Sequence, residues 1–151
     1  MKNDTVVLGL GNPLMADEGI GIEIITLLKS ASGDFPEVDF FDAGCGGMTL
    51  LHYLEGRKKA IIIDCAFMGT EPSTMKRFKP EDVKSVKKLA HHSLHEVDIL
   101  KVIELAQQLG DCPEEIIFYA IEPKEVIQQQ NLTALLQEKL PEYIKTIQQE
   151  L

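Results

Sequence analysis

The stretch Ala60-Ile61-Ile62-Ile63-Asp64 is apolar at four successive positions and closes on a carboxylate. A strand with one wetted face alternates apolar and polar side chains. A strand covered on both faces does not, so this run reads as a central strand of a parallel sheet. Upstream, Thr5 to Leu10 is a β-branched run passing into the tight loop Gly9-Leu10-Gly11-Asn12-Pro13. Val38 to Asp42 and Glu115 to Ile121 read as further strands. Met75 to Phe78 carries Lys76 and Arg77 and lies between Pro72 and Pro80, which suits a short edge strand.

Between these runs the spacing turns helical. Ile20, Ile24, Leu27 and Leu28 predict a helix from Asp17 to Ser30, with Asp17 and Glu18 where acidic residues favour a helix start. Gly44-Cys45-Gly46-Gly47 turns into a short helix through Leu50, Leu51 and Leu54. Ser93-Leu94-His95-Glu96 matches a capping box ahead of Val97, Leu100, Ile103 and Leu105, and Gly110 closes that helix. The tail from Leu132 repeats Leu135, Leu136, Leu140, Tyr143, Ile144 and Ile147, and Pro141 is expected to break it in two. Strands alternating with helices at this pitch predict an α/β sandwich around a largely parallel, doubly wound sheet. The 151 residues suit one domain, 1–151, and the apolar fraction of 44% suits a packed core.

Composition narrows the partners. Fifteen basic against 24 acidic residues leave a formal charge of -9, which repels a phosphate backbone, so no nucleic-acid partner is expected. No apolar stretch approaches the ~20 residues of a spanning helix, and Met1-Lys2-Asn3-Asp4 lacks the apolar core of a signal peptide. Cys45, Cys65 and Cys112 form no C-x-x-C pair, which fits thiols in a reducing cytoplasm.

The chemistry is positional. Glu18 follows the first strand's loop, Asp42 ends the second strand and Asp64 ends the third, so all three belong at the carboxyl edge that lines the ligand crevice of open parallel sheets. Gathered carboxylates repel unless a proton or cation intervenes. His95, at the positive end of a capped helix, is favoured as neutral imidazole, the metal-binding form. Carboxylates with an imidazole suit a divalent transition ion such as nickel or zinc.

Taken singly, each residue has a plainer reading. Glu18 serves as a helix-start acid, Asp42 and Asp64 as loop caps, and His95 as a part-exposed helix residue; Cys45 and Cys65 serve as small hydrophobes rather than soft ligands. His91 and His92 read as solvated loop residues. Only convergence on one edge favours a metal. The Gly9-x-Gly11 loop lacks the third glycine of a dinucleotide fingerprint, and there is no G-x-S-x-G, Walker loop or H-E-x-x-H.

Gly9-x-Gly11-Asn12, then Asp17-Glu18-Gly19-x-Gly21, an Asp-x-Gly turn at Asp42, an apolar strand ending in Asp64, and Ser93-Leu94-His95 together resemble the hydrogenase maturation endopeptidases along nearly the whole chain. The resemblance implies a twisted five-stranded sheet between helices and a metal site of Glu18, Asp64 and His95. It also implies removal of a short C-terminal extension from a nickel-iron hydrogenase large-subunit precursor after nickel insertion. The three ligands would read the nickel presented by that precursor, with zinc or cadmium as surrogates, and Asp42 would be a candidate acid or base. Whether the metal polarises the scissile carbonyl or activates water stays open. One departure is the turn Asp42-Ala43-Gly44-Cys45 where the family has Asp-Gly-Gly-Thr; it bears on substrate subtype more than on activity. Two alternatives stand beside the peptidase reading: a nickel-binding chaperone that does not hydrolyse the precursor, and a small nucleotide-binding domain.

Overall fold

The computed structural model describes residues 2–82 and 94–151, with residues 94–98 described by backbone alone. The strands are β1 (Thr5–Gly9), β2 (Val38–Asp42), β3 (Lys59–Cys65), β4 (Met75–Phe78) and β5 (Glu115–Ile121). The helices are α1 (Ile20–Ser30), α2 (Leu50–Leu54), α3 (Leu94–Leu109) and α4 (Ala134–Glu150). One five-stranded sheet has the order β2-β1-β3-β5-β4. The first four strands in that order run parallel, and β4 pairs antiparallel with β5 at the edge.

The unbroken isoleucine run is explained by what covers it. Ile61 and Ile63 are 0% exposed and Ile62 is 1% exposed. Successive side chains point to opposite faces, so Ile61 and Ile63 pack with Val7, Ile117 and Tyr119 beneath α1 and α4. Ile62 packs with Val6, Leu8 and Phe118 beneath α2 and α3. Helices on both faces make the three-layer α/β sandwich expected from the pattern. On β4, Lys76 and Arg77 are exposed, as an edge strand allows.

The first helix opens with a 3-10 turn, Ala16–Gly19, at the position expected for an α-helical start. Here α1 presses on the sheet so closely that a Cβ on Gly21 would lie 2.1 Å from Leu10 O and 2.6 Å from Ile63 O. At the far end of α3, Gly110 takes φ +78, a left-handed conformation suited to a helix stop. The capping box at Ser93 and the residues His91 and His92 lie outside the described residues.

One expectation fails. Pro141 does not divide the tail: α4 is continuous from Ala134 to Glu150. Proline removes one backbone donor and crowds the preceding turn, but Pro141 sits on the exposed side of the helix. Leu136 and Leu140 before it and Tyr143 and Ile147 after it form one buried stripe. Tyr143 also donates its hydroxyl to Ser73 O at 2.6 Å. Burying side chains of this size stabilises by about 1.5–3 kcal/mol each, enough to offset a helix-interior proline. Among the described residues no helix is long and apolar enough to cross a membrane.

Candidate functional site

The loop after β1 is tied into the sheet on both sides. Leu10 N–H donates to Ile63 O at 2.8 Å, Ala43 N–H to Gly9 O at 2.9 Å, and Gly11 N–H to Gly44 O at 2.8 Å. Asn12 then turns the chain: its Oδ1 accepts the Leu14 N–H at 3.0 Å, and its own N–H donates to Glu18 O at 3.2 Å. Gly11 has φ +145, and a Cβ there would lie 2.1 Å from Glu18 O. The glycine therefore lets Glu18 fold back over the end of β1.

Asp64 reaches the same edge from β3. It is 4% exposed, and its Oδ1 accepts the Cys65 N–H at 2.8 Å. Strand parity places it on the Ile62 side of the sheet, the side covered by α3. Cys65 points to the opposite face and is part of the core beneath α1 and α4. Burial pushes the Cys65 thiol far up, and the charges of Asp64, Glu18, Asp17 and Glu122 push it further. The thiol stays protonated, and the four carboxylates whose charges act on it all belong to the carboxyl side of the sheet.

Two of those four hold loops remote in the chain. Asp17, 0% exposed, accepts Thr133 N–H and Thr133 Oγ1–H at Oδ1 at 2.7 and 2.9 Å. Its Oδ2 accepts Lys124 N–H and Glu125 N–H at 2.8 and 3.1 Å. Glu122, which follows β5 directly, accepts at Oε1 from Met68 N–H, Thr70 N–H and the Thr70 hydroxyl at 2.8, 3.1 and 2.9 Å. These acids fasten the loops after β3 and β5. The sequence reading missed both roles. Glu122 was open to discovery by the rule that selected Asp42 and Asp64, an acid at a strand end. For Asp17 no signal tells which of two adjacent acids turns inward.

The turn carrying Glu18, half-buried, packs against β3, at whose carboxyl end Asp64 is buried. Asp42 is exposed at the end of β2, where its Oδ1 accepts the Gly44 N–H at 2.8 Å, the loop-capping role weighed for it. Cys45, exposed in the same turn, donates its thiol to Gly11 O at 3.9 Å. His95 lies in the first turn of α3, and its side chain is outside the described residues. The direction of α3 is nonetheless set by its far end. Glu115 N–H donates to Lys58 O at 3.1 Å, so β5 starts at the amino edge a few residues after α3 stops. A 16-residue helix is ~24 Å long, which carries its first turn back toward the carboxyl edge. Among the described residues, no three His, Cys, Asp or Glu side chains group as a metal site.

Comparison with known proteins gives concordant matches. A family model described as hydrogenase maturation protease matches residues 22–150. The hydrogenase expression/formation protein HoxM of Cupriavidus necator is 31% identical over 121 residues, covering 80% of this chain and 60% of that protein. The chain spans about three fifths of the length of HoxM and of the HupD proteins it also matches. The delta subunit of coenzyme F420 hydrogenase from Methanothermobacter thermautotrophicus is 28% identical, covering 98% of this chain and 94% of that one. Among solved structures, the hydrogenase maturating endopeptidase HybD from E. coli superposes with a TM-score of 0.82 at 25% identity, covering 97% of this chain and 90% of that one.

Proposed function

Because the chain belongs to the hydrogenase maturation protease family, we propose that it is an endopeptidase that removes the C-terminal extension of a nickel-iron hydrogenase large-subunit precursor after nickel insertion. The observation that supports this reading is that the turn carrying Glu18 folds back over the end of β1 and packs against β3, the strand that carries the buried Asp64 at its carboxyl end. Asp17 and Glu122 share that edge, where they fasten the loops after β5 and β3. Glu18 and Asp64 are the pair suited to a cation brought by the substrate.

The donor chemistry fits that cation. Two neighbouring carboxylates repel, and a divalent ion relieves the repulsion. With the imidazole of His95, they form a mixed oxygen and nitrogen set that takes nickel, or zinc or cadmium as surrogates, with positions left for the precursor's own ligands. In this reading Glu18, Asp64 and His95 orient the precursor by its nickel and so bring the scissile peptide to the edge of the sheet. A divalent ion supplies either polarisation of a carbonyl or a more acidic water. Asp42, one strand over from β1, is assigned the proton transfer, at the oxygen not held by Gly44 N–H. Loss of the extension would then let the large subunit close around its active site.

Incubation of the protein with purified precursor, followed by intact-mass measurement, tests the reading. The nickel-loaded precursor should lose its C-terminal peptide and the nickel-free precursor should not. Binding of nickel-loaded precursor without any mass loss would replace the peptidase with a nickel-binding escort of the same fold.

A further inference from the structure

Six large apolar side chains are exposed among the described residues: Leu14, Leu27, Met48, Phe67, Leu109 and Ile127. Their distribution is uneven. Leu14 lies on the loop after β1, Met48 on that after β2, Phe67 on that after β3 and Ile127 on that after β5, one on each loop leaving the carboxyl edge of the four parallel strands. Their exposures are 56%, 61%, 39% and 46%.

These loops are braced by the contacts that build the acidic site. Gln129 N–H donates to Leu14 O at 2.9 Å and Ala16 N–H to Gln129 O at 2.7 Å, which joins the Leu14 and Ile127 loops. Gly11 N–H to Gly44 O joins the first loop to the one bearing Met48. Glu122 holds Met68 N–H, the residue next to Phe67, at 2.8 Å. Apolar groups held in water on anchored loops, around buried or half-buried carboxylates, are what a docking rim requires.

We propose that Leu14, Met48, Phe67 and Ile127 form the docking rim for the precursor segment that carries the metal, an apolar stretch of polypeptide with a cation at its centre. The inference rests on the peptidase reading and adds to it the residues that select the substrate. Charge complementarity decides the occupant. The edge from which these loops leave also carries Asp17, Glu18, Asp64 and Glu122, so an acidic segment would be repelled there, whereas a cation flanked by apolar side chains complements both the acids and the rim. A second copy of this chain, itself at a formal charge of -9, would set acid against acid at this edge.

The test substitutes Leu14, Met48, Phe67 and Ile127 by Ser together, with Leu27→Ser and Leu109→Ser as a control pair exposed elsewhere. Calorimetric binding of purified nickel-loaded precursor and KM and kcat for its cleavage are both measured. The rim variant should bind at least about tenfold more weakly, with KM raised by a similar factor, kcat little changed and the control pair unaffected. Wild-type binding by a folded rim variant would overturn the rim and leave the peptidase reading standing. Rim-dependent binding without cleavage would overturn the peptidase reading and leave the rim. Wild type that fails to bind the precursor would overturn the assigned occupant. So would a wild-type dimer that the rim substitutions convert to monomer.

Discussion

Asp17 Oδ1 accepts the backbone N–H of Thr133 at 2.7 Å across 116 positions of chain. Thr133 is the N-cap residue of α4, so this carboxylate sits against the positive end of that helix. Its other oxygen gathers the N–H groups of Lys124 and Glu125. The residue next to Glu18 therefore sets where the loop bearing Ile127 and the start of α4 lie relative to the site.

Replacing Asp17 by Asn would put an amide donor against backbone donors and remove a charge from several short hydrogen bonds. Asp17→Asn should cost about 2–4 kcal/mol of stability, a fall in thermal midpoint of roughly 5–15 °C for a chain of this size. Thermal unfolding followed by circular dichroism reads this. A midpoint within a degree of wild type would show that the loop is held by other contacts.

Acid should act through Glu150. Its Oε1 accepts from Arg77 Nε at 2.6 Å and from Tyr119 OH at 2.8 Å, and its Oε2 from Lys59 Nζ at 3.2 Å. The Arg77 hydrogen bond, aided by Tyr119 and Lys59, lowers its carboxyl from an ordinary 4.5 to about 2. A depressed folded value means that stabilisation is fully present above 4.5 and is lost as pH falls toward about 2. The gap in thermal midpoint between wild type and Glu150→Gln should therefore be constant at neutral pH and narrow across that window. A gap unchanged down to the lower end would show that the charge of Glu150 adds nothing to folding.

Pro141 lies inside a helix that continues past it. Alanine at this position would restore one backbone donor and relieve the preceding turn. Pro141→Ala should stabilise the protein by about 1–3 kcal/mol, read as a higher midpoint in urea. An unchanged midpoint would mean that α4 already accommodates the ring without strain.

The strands and their order of burial were legible because periodicity reports environment. A short β-branched run without alternation suits a strand between two covering layers, and Ile61, Ile62 and Ile63 have that setting. Pro141 was misread because a propensity acts locally, whereas the stripe Leu136, Leu140, Tyr143 and Ile147 draws its stability from the sheet. The placement of Glu18 and Asp64 at the carboxyl edge was legible from topology, since the ends of parallel strands and the loops that leave them share an edge. What sequence did not reveal was the division of labour among the acids there. Asp17 and Glu122 look as well placed as Glu18 and Asp64 until the backbone donors of residues 124, 125 and 133, and of 68 and 70, are seen to face them. Such pairings join positions remote in the chain and leave no local signature.

The central claim is that Glu18 and Asp64 act as one site on the nickel-bearing precursor. An intact-mass time course of nickel-loaded precursor with wild type, Glu18→Gln and Asp64→Asn, each variant first shown to be folded, tests it most directly. The C-terminal peptide should be lost with wild type, while both variants lose at least about tenfold in rate, since a group that contacts the metal should matter no less than the outer partners worth 10–100-fold. Cleavage at the wild-type rate by both folded variants would contradict it.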